Sequence, residues 1–284
     1  MAIFQTIYDF IGSVIPYSWA QADFILRAII GLVLLAPLCA GMGIIVVNFR
    51  MAFFSDAISH SAFTGVALGI VFGIDPMITL ILFGLMIGLA ITRVKMHSEL
   101  SNDTVIGVFF STVIALGIAL ISVKGGLTRN LQSVLYGDIL SLTDKDLLVQ
   151  IIFFLVIMIY LYVAYNKLFF IGLHETLAHA QGINVKLYEY TFAALLSILV
   201  AFSIRAVGLL LVTAMLILPA ASSRNVAKTA GGLFWWALFF ALVSCIAGLF
   251  GSIAWNTATG ATVILAASGC FLLTNVWLLV NKKG

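Results

Sequence analysis

Met51–Ile74, MAFFSDAISHSAFTGVALGIVFGI, is an apolar run long enough to cross a bilayer, with a carboxylate and an imidazole near its start. Asp56 and His60 are four residues apart, so on a helix their side chains leave in about the same direction. An ionisable group in hydrocarbon costs roughly 3 kcal/mol or more, so such groups face a cavity or a partner. Together the two residues offer one oxygen and one nitrogen donor, a set that suits a borderline divalent cation. The same residues also allow a plainer arrangement, in which Asp56 neutralises a nearby arginine and His60 fills a polar gap between helices.

The rest of the chain makes this stretch a membrane helix. Of 284 residues 63% are hydrophobic and 9% charged, and mean hydropathy is +1.20. A soluble domain carries roughly 25% charged residues, so the composition is that of an integral membrane protein without large extramembrane domains. The net charge of +3 is small and gives no reason to expect a nucleic acid partner. Cys39, Cys245 and Cys270 stand singly in apolar runs and imply packing instead of a disulfide framework. Residues 1–22 lack the basic start and small-residue cleavage site of a signal peptide. With Tyr17 and Trp19 as anchors they are expected to form an interfacial N-terminal helix, leaving 23–284 as a single transmembrane domain.

A span of hydrocarbon takes about 20 apolar residues. The candidates are Phe24–Val47, Met51–Ile74, Pro76–Thr92, Thr104–Val123, Leu147–Tyr165, Leu233–Trp255 and Thr257–Val280. Tyr190–Ala221 is too long for one span and holds Arg205 near its middle, so it is divided into Tyr190–Ile204 and Ala206–Ala221, two short helices or a partly re-entrant pair. The fold expected is therefore an all-α polytopic bundle of eight or nine transmembrane helices. Arg205 itself suits either a gate or a hairpin anchor at the interface.

With the N-terminus outside, the inner loops carry Arg50, Arg93, Lys95, Lys167, Lys186, Arg224, Lys228, Lys282 and Lys283, nine basic residues against five on the outer side. The bias of lysine and arginine toward the cytoplasm favours that orientation and the nine-helix count. Ser61, Gly65, Gly69 and Gly73 form a small-residue stripe for helix packing on the second helix, and Gly84 and Gly88 repeat it on the third. The stripe is offset from Asp56 and His60, so one face can pack while the next faces a pathway. Counted from Met51, the pair is expected roughly 7–14 Å along the helix.

Residues 166–189 form the one polar inner segment with helical character, centred on His174-Glu175-Thr176-Leu177-Ala178-His179. Its histidines are five apart, not four, which rotates the second away from the first and excludes the zinc-protease arrangement. A short solvated helix ending at Gly182 is expected. His97, between Lys95 and Glu99, reads as solvated. No glycine-rich phosphate loop of the G-x-x-x-x-G-K-[ST] kind occurs, so any ATP that drives transport binds another subunit.

Four stretches resemble the membrane permeases of bacterial zinc and manganese ABC importers: Arg50–Ala62, Asp103–Ser111, Leu135–Leu140, and Ala206–Val212 continuing through Leu216–Ala221. The resemblance runs from about Phe24 to Val280. It implies a homodimeric inner-membrane permease that has no catalytic activity of its own, docks on ATP-binding cassette subunits and receives metal from an extracytoplasmic metal-binding protein. It implies that Asp56 and His60 lie on the metal route. It also implies that Glu175, Thr176, Ala178 and Gly182 belong to a coupling helix that meets the ATPase. Two places depart from the family pattern: Asn48-Phe49-Arg50, where relatives often carry a basic pair, and Ser222-Ser223-Arg224.

The function expected is passage of a divalent transition metal, zinc ahead of manganese or iron, by alternating access. No permanently bound cofactor is expected, since two ligands are too few for a tight structural site. The competing reading is a proton-coupled secondary transporter or channel in which Asp56 and His60 relay protons.

Overall fold

The computed structural model describes residues 23–123 and 139–281. The proposed interfacial helix of residues 1–22 and most of the Leu135–Leu140 stretch lie outside them. Ten α-helices are described: α1 Asp23–Asn48, α2 Phe54–Phe72, α3 Pro76–His97, α4 Asn102–Val123, α5 Asp144–Leu173, α6 Glu175–Ala180, α7 Val185–Val207, α8 Leu209–Val226, α9 Ala230–Trp255 and α10 Thr259–Asn281. A 3₁₀ turn, Ile139–Ser141, precedes α5. Among the described residues, nine helices are long and apolar enough to cross a membrane, all but α6. The chain is a multi-pass membrane protein of the kind expected in the bacterial inner membrane.

Helix ends follow backbone chemistry. α1 closes with the amide of Met51 on the carbonyl of Val46 and that of Arg50 on Val47, which places Arg50 in the left-handed region at φ 54°. α3 begins at Pro76 behind an Asp75 cap that accepts from the Met77 amide. α5 begins with a reciprocal Thr143–Asp146 capping box.

The long hydrophobic run divides at Gly208, three residues beyond the expected break at Arg205. Gly208 adopts φ 86° and ψ 160°, a conformation that only glycine reaches without strain, whereas the backbone at Arg205 stays helical. The two pieces are full helices of 23 and 18 residues, not short or re-entrant ones, because α7 begins at Val185 inside the segment read as a loop. α5 likewise runs on to Leu173, eight residues past the expected Tyr165.

The helices form two groups. In one, α2 packs against α3 and α4, and α3 packs against α7. In the other, α1 packs against α5, α8 and α9, with α10 on the outside of α8 and α9. The groups meet where α8 touches α2 and α7, and where α5 touches α7. Close backbone approach sets the contacts within each group. A Cβ on Gly65 would fall 2.7 Å from the Thr79 carbonyl oxygen, and one on Gly69 2.9 Å from the Pro76 Cα. Across the same α2–α3 contact, Gly84 faces Ile58 and Ser61 and Gly88 faces Ile58, while Ala201 and Ser197 of α7 lie on their other side. In the second group, Gly43 lets α1 lie directly on the backbone of Leu216 in α8.

Gly73 departs from the stripe. It caps α2 at φ 71° and a Cβ there would meet nothing within 4 Å, so its role is conformational and not helix packing. Of the three cysteines, Cys39 and Cys245 are buried in the core and all are free thiols.

Candidate functional site

α2 begins at Phe54, whose amide bonds the Met51 carbonyl at 3.0 Å. Asp56 therefore lies in the first turn, about 3 Å along the helix, and His60 about 9 Å along. The pair is nearer the helix start than counting from Met51 gave, because residues 51–53 form a turn. Both side chains are half-buried and close enough to interact electrostatically.

Two other helices complete the surroundings. The hydroxyl of Thr213, in the second turn of α8, donates to the Leu210 carbonyl at 3.2 Å and lies near enough to the Asp56 carboxylate to interact with it electrostatically. The ring of Phe110, from α4, meets the His60 imidazole edge-on, with centroids 5.0 Å apart. One turn further, Thr64 donates to the Val113 carbonyl at 2.9 Å and fixes α2 against α4. Ser59, between the two ionisable residues, is fully buried, and its hydroxyl has no hydrogen-bond partner among the described residues. Thr213 belongs to α8 and Asp56 to α2, so the pair sits on the seam between the two helix groups. The pair presents one carboxylate and one imidazole there, a donor set that suits a borderline divalent cation.

Neither Thr213 nor Phe110 was singled out from the sequence. Phe110 falls inside a stretch that carries the family resemblance, and Thr213 lies between the two halves of another, which was the available signal. Among the described residues, no cluster of three or more histidine, cysteine, aspartate or glutamate side chains is placed to hold a metal tightly.

At the end of the bundle where α2 starts, α6 spans Glu175–Ala180. Its fold is local: Gly182, at φ 75°, ends the turn with the Ile183 amide on the Ala178 carbonyl. Glu175, Thr176 and Gly182 are exposed, whereas Ala178 is buried and turned into the protein. Leu177 is 52% exposed, an apolar side chain presented to the exterior beside Glu175. His174 caps the junction of α5 and α6, so the two histidines of this segment do not share a helix face.

An open cavity of about 540 Å³ lies at the same end, lined by Asn48, Arg50, Lys95, Asn102, Glu175 and Glu189 among others. Lys95 and Glu189 form an ion pair of 2.9 Å in its wall. Asn48 donates to the Phe169 carbonyl at 2.8 Å and accepts from Arg224 at 3.2 Å.

Comparison with known proteins agrees with this architecture. Residues 21–277 match the model of the ABC 3 transport family. The chain is 32% identical over 268 residues to the manganese import system permease protein ScaB of Streptococcus gordonii, covering 94% of each. It is 29% identical over 252 residues to the high-affinity zinc uptake system membrane protein ZnuB of Haemophilus influenzae, covering 89% of this chain and 97% of that one. The solved structure of PsaBC from Streptococcus pneumoniae in complex with a Fab superposes with a TM-score of 0.76 at 30% identity, over 94% of this chain and 95% of that one.

The fold and these matches define a membrane permease subunit of an ABC transporter. The chain belongs to the ABC 3 transport family, that of the zinc- and manganese-type divalent-metal importers. Subunits of this kind carry no catalytic centre, since ATP hydrolysis resides on a separate chain. Family membership replaces the secondary-transporter reading of the Asp56–His60 pair.

Proposed function

We propose that the chain forms the transmembrane pathway of an ATP-driven importer for a divalent transition metal, with Asp56 and His60 as the transient coordination site. The observation that carries this is the position of the half-buried pair on α2, the helix that meets α8 of the other group, with Phe110 of α4 against the imidazole. The metal proposed is zinc ahead of manganese, because an imidazole beside a carboxylate is a borderline donor set, whereas manganese favours oxygen. Relatives of both kinds have similar identity, so the support for zinc is chemical.

The basic residues give the orientation. Arg50, Arg93, Lys95, Lys167, Lys186, Arg224 and Lys228 belong to one end of the bundle, and that end is taken as cytoplasmic. Two copies of the chain would dock on ATP-binding subunits through the exposed face of Glu175, Thr176 and Gly182. A metal-binding protein would deliver the ion at the opposite end. ATP-driven movement of one helix group against the other would then open the seam alternately to each side, and incomplete coordination by this chain lets the ion leave.

The test is uptake of radiolabelled zinc and manganese in cells lacking their own importers, supplied with this chain and its ATPase and carrier subunits. His60→Ala should lower uptake about tenfold or more while the complex still assembles. Undiminished uptake in that variant would remove the pair from the pathway.

A further inference from the structure

We infer that the Lys95–Glu189 ion pair transmits movement of the Glu175–Gly182 segment to the helix bearing Asp56 and His60. The inference rests on the coupling role proposed above for that segment. Glu189 lies in α7, and the connection from α6 to α7 is stiff: Gly182, Ile183 and Val185 all donate backbone hydrogen bonds within it, and Asn184 caps α7 by accepting from Leu187. Displacement of α6 therefore carries Glu189 with it.

On the other side of the pair, Lys95 touches the turn that leads into α2. Its ammonium lies 5.2 Å from the centroid of the Phe49 ring and 3.9 Å from the Met51 sulfur. Phe49 in turn meets Phe192 of α7 edge-on at 5.5 Å. The Met51 carbonyl accepts the amide of Phe54, and Asp56 follows two residues later. One ion pair and one side-chain contact thus separate Glu189 from the start of the helix that holds the site. Lys95 also lies in the last turn of α3, which the Gly65, Gly69, Gly84 and Gly88 contacts fix against α2.

Burial makes the link strong. The Lys95 and Glu189 side chains are only 13% and 5% exposed. A pair on the surface separates at little cost, but a buried charge cannot leave its partner without being stranded. The adjoining cavity leaves room on one side, so the pair can travel as a unit.

A pair that only held the helix ends together would be replaceable by apolar side chains of similar size. The experiment uses the full complex in proteoliposomes, offered zinc and manganese in turn, and reads metal ions moved per ATP hydrolysed. Lys95→Met and Glu189→Gln should each lower that ratio about fivefold or more. The exchange Lys95→Glu/Glu189→Lys should restore most of it, and the apolar double variant Lys95→Met/Glu189→Leu should assemble normally yet stay low. A wild-type ratio in either single variant or in the apolar double variant would overturn the inference, as would an exchange that restores nothing. A wild-type complex that moves neither metal would instead overturn the importer reading, and the inference with it.

Discussion

Arg224 donates to Asn48 at 3.2 Å, tying the end of α8 to the end of α1. They are 176 positions apart in sequence. Asn48 is 5% exposed and also holds the Phe169 carbonyl of α5, so one amide joins the ends of α1, α5 and α8. Asn48→Ala should lower stability by about 1–2 kcal/mol, since it removes the part-buried bond from α1 to the Phe169 carbonyl together with the one to the exposed Arg224. Arg224→Ala should cost less, because it leaves the Phe169 bond intact. Thermal unfolding midpoints of the purified variants in detergent check the order.

Thr213 makes the site a three-helix feature, and its hydroxyl is separable from its bulk. Thr213→Val keeps the shape and removes the hydroxyl near Asp56, together with its bond to the Leu210 carbonyl within α8. The affinity for the transported ion should fall by roughly tenfold, the scale at which groups that orient a metal ligand act. The dependence of uptake on external metal concentration measures it, with protein levels unchanged.

Two glycines should respond in opposite ways to alanine. At Gly43 a methyl group would strike the backbone carbonyl of Leu216, which cannot rotate away, so Gly43→Ala should destabilise by at least about 2 kcal/mol. At Gly269, inside α10, nothing lies within 4 Å, and Gly269→Ala should be neutral or stabilise by up to about 1 kcal/mol through helix propensity. Unfolding midpoints of the two variants separate these outcomes.

Arg50 occupies a left-handed position that costs an L-residue about 1–2 kcal/mol. Arg50→Gly should relieve this, offset in part by chain entropy, for a net gain of about 0.5–1 kcal/mol. If the strain is retained for function, the same variant should be more stable and less active in uptake.

The α6 segment offers a last pair of variants. Glu175→Lys inverts an exposed charge and should weaken pull-down of the ATPase subunit without lowering stability. Ala178→Leu should do the reverse, destabilising the permease by about 1–3 kcal/mol because the site is fully buried. Equal effects of both on pull-down at equal stability would contradict the division of roles within this helix.

Hydrophobic run length sufficed to find the nine spans, because in hydrocarbon a backbone must satisfy its own hydrogen bonds and only long apolar helices do so. The Asp56–His60 pair was visible for the same reason, as two groups that lipid does not tolerate. Gly182 as a terminator was legible too, since a left-handed turn selects glycine locally. The exact break at Gly208 was not: Arg205 is the more conspicuous residue in sequence, but a charge can stay within a helix, whereas the backbone angles at Gly208 cannot.

Tertiary structure alone decided what lies across from those groups. Thr213 and Phe110 reach the pair from α8 and α4, Glu189 finds Lys95 across 94 positions, and Asn48 finds Arg224. Helix periodicity specifies which residues share a face, and it carries no information about which distant face comes to rest against it. That choice was made by close packing at Gly43, Gly65, Gly69 and Gly88, where the absence of a side chain has meaning only once the opposing backbone is in place.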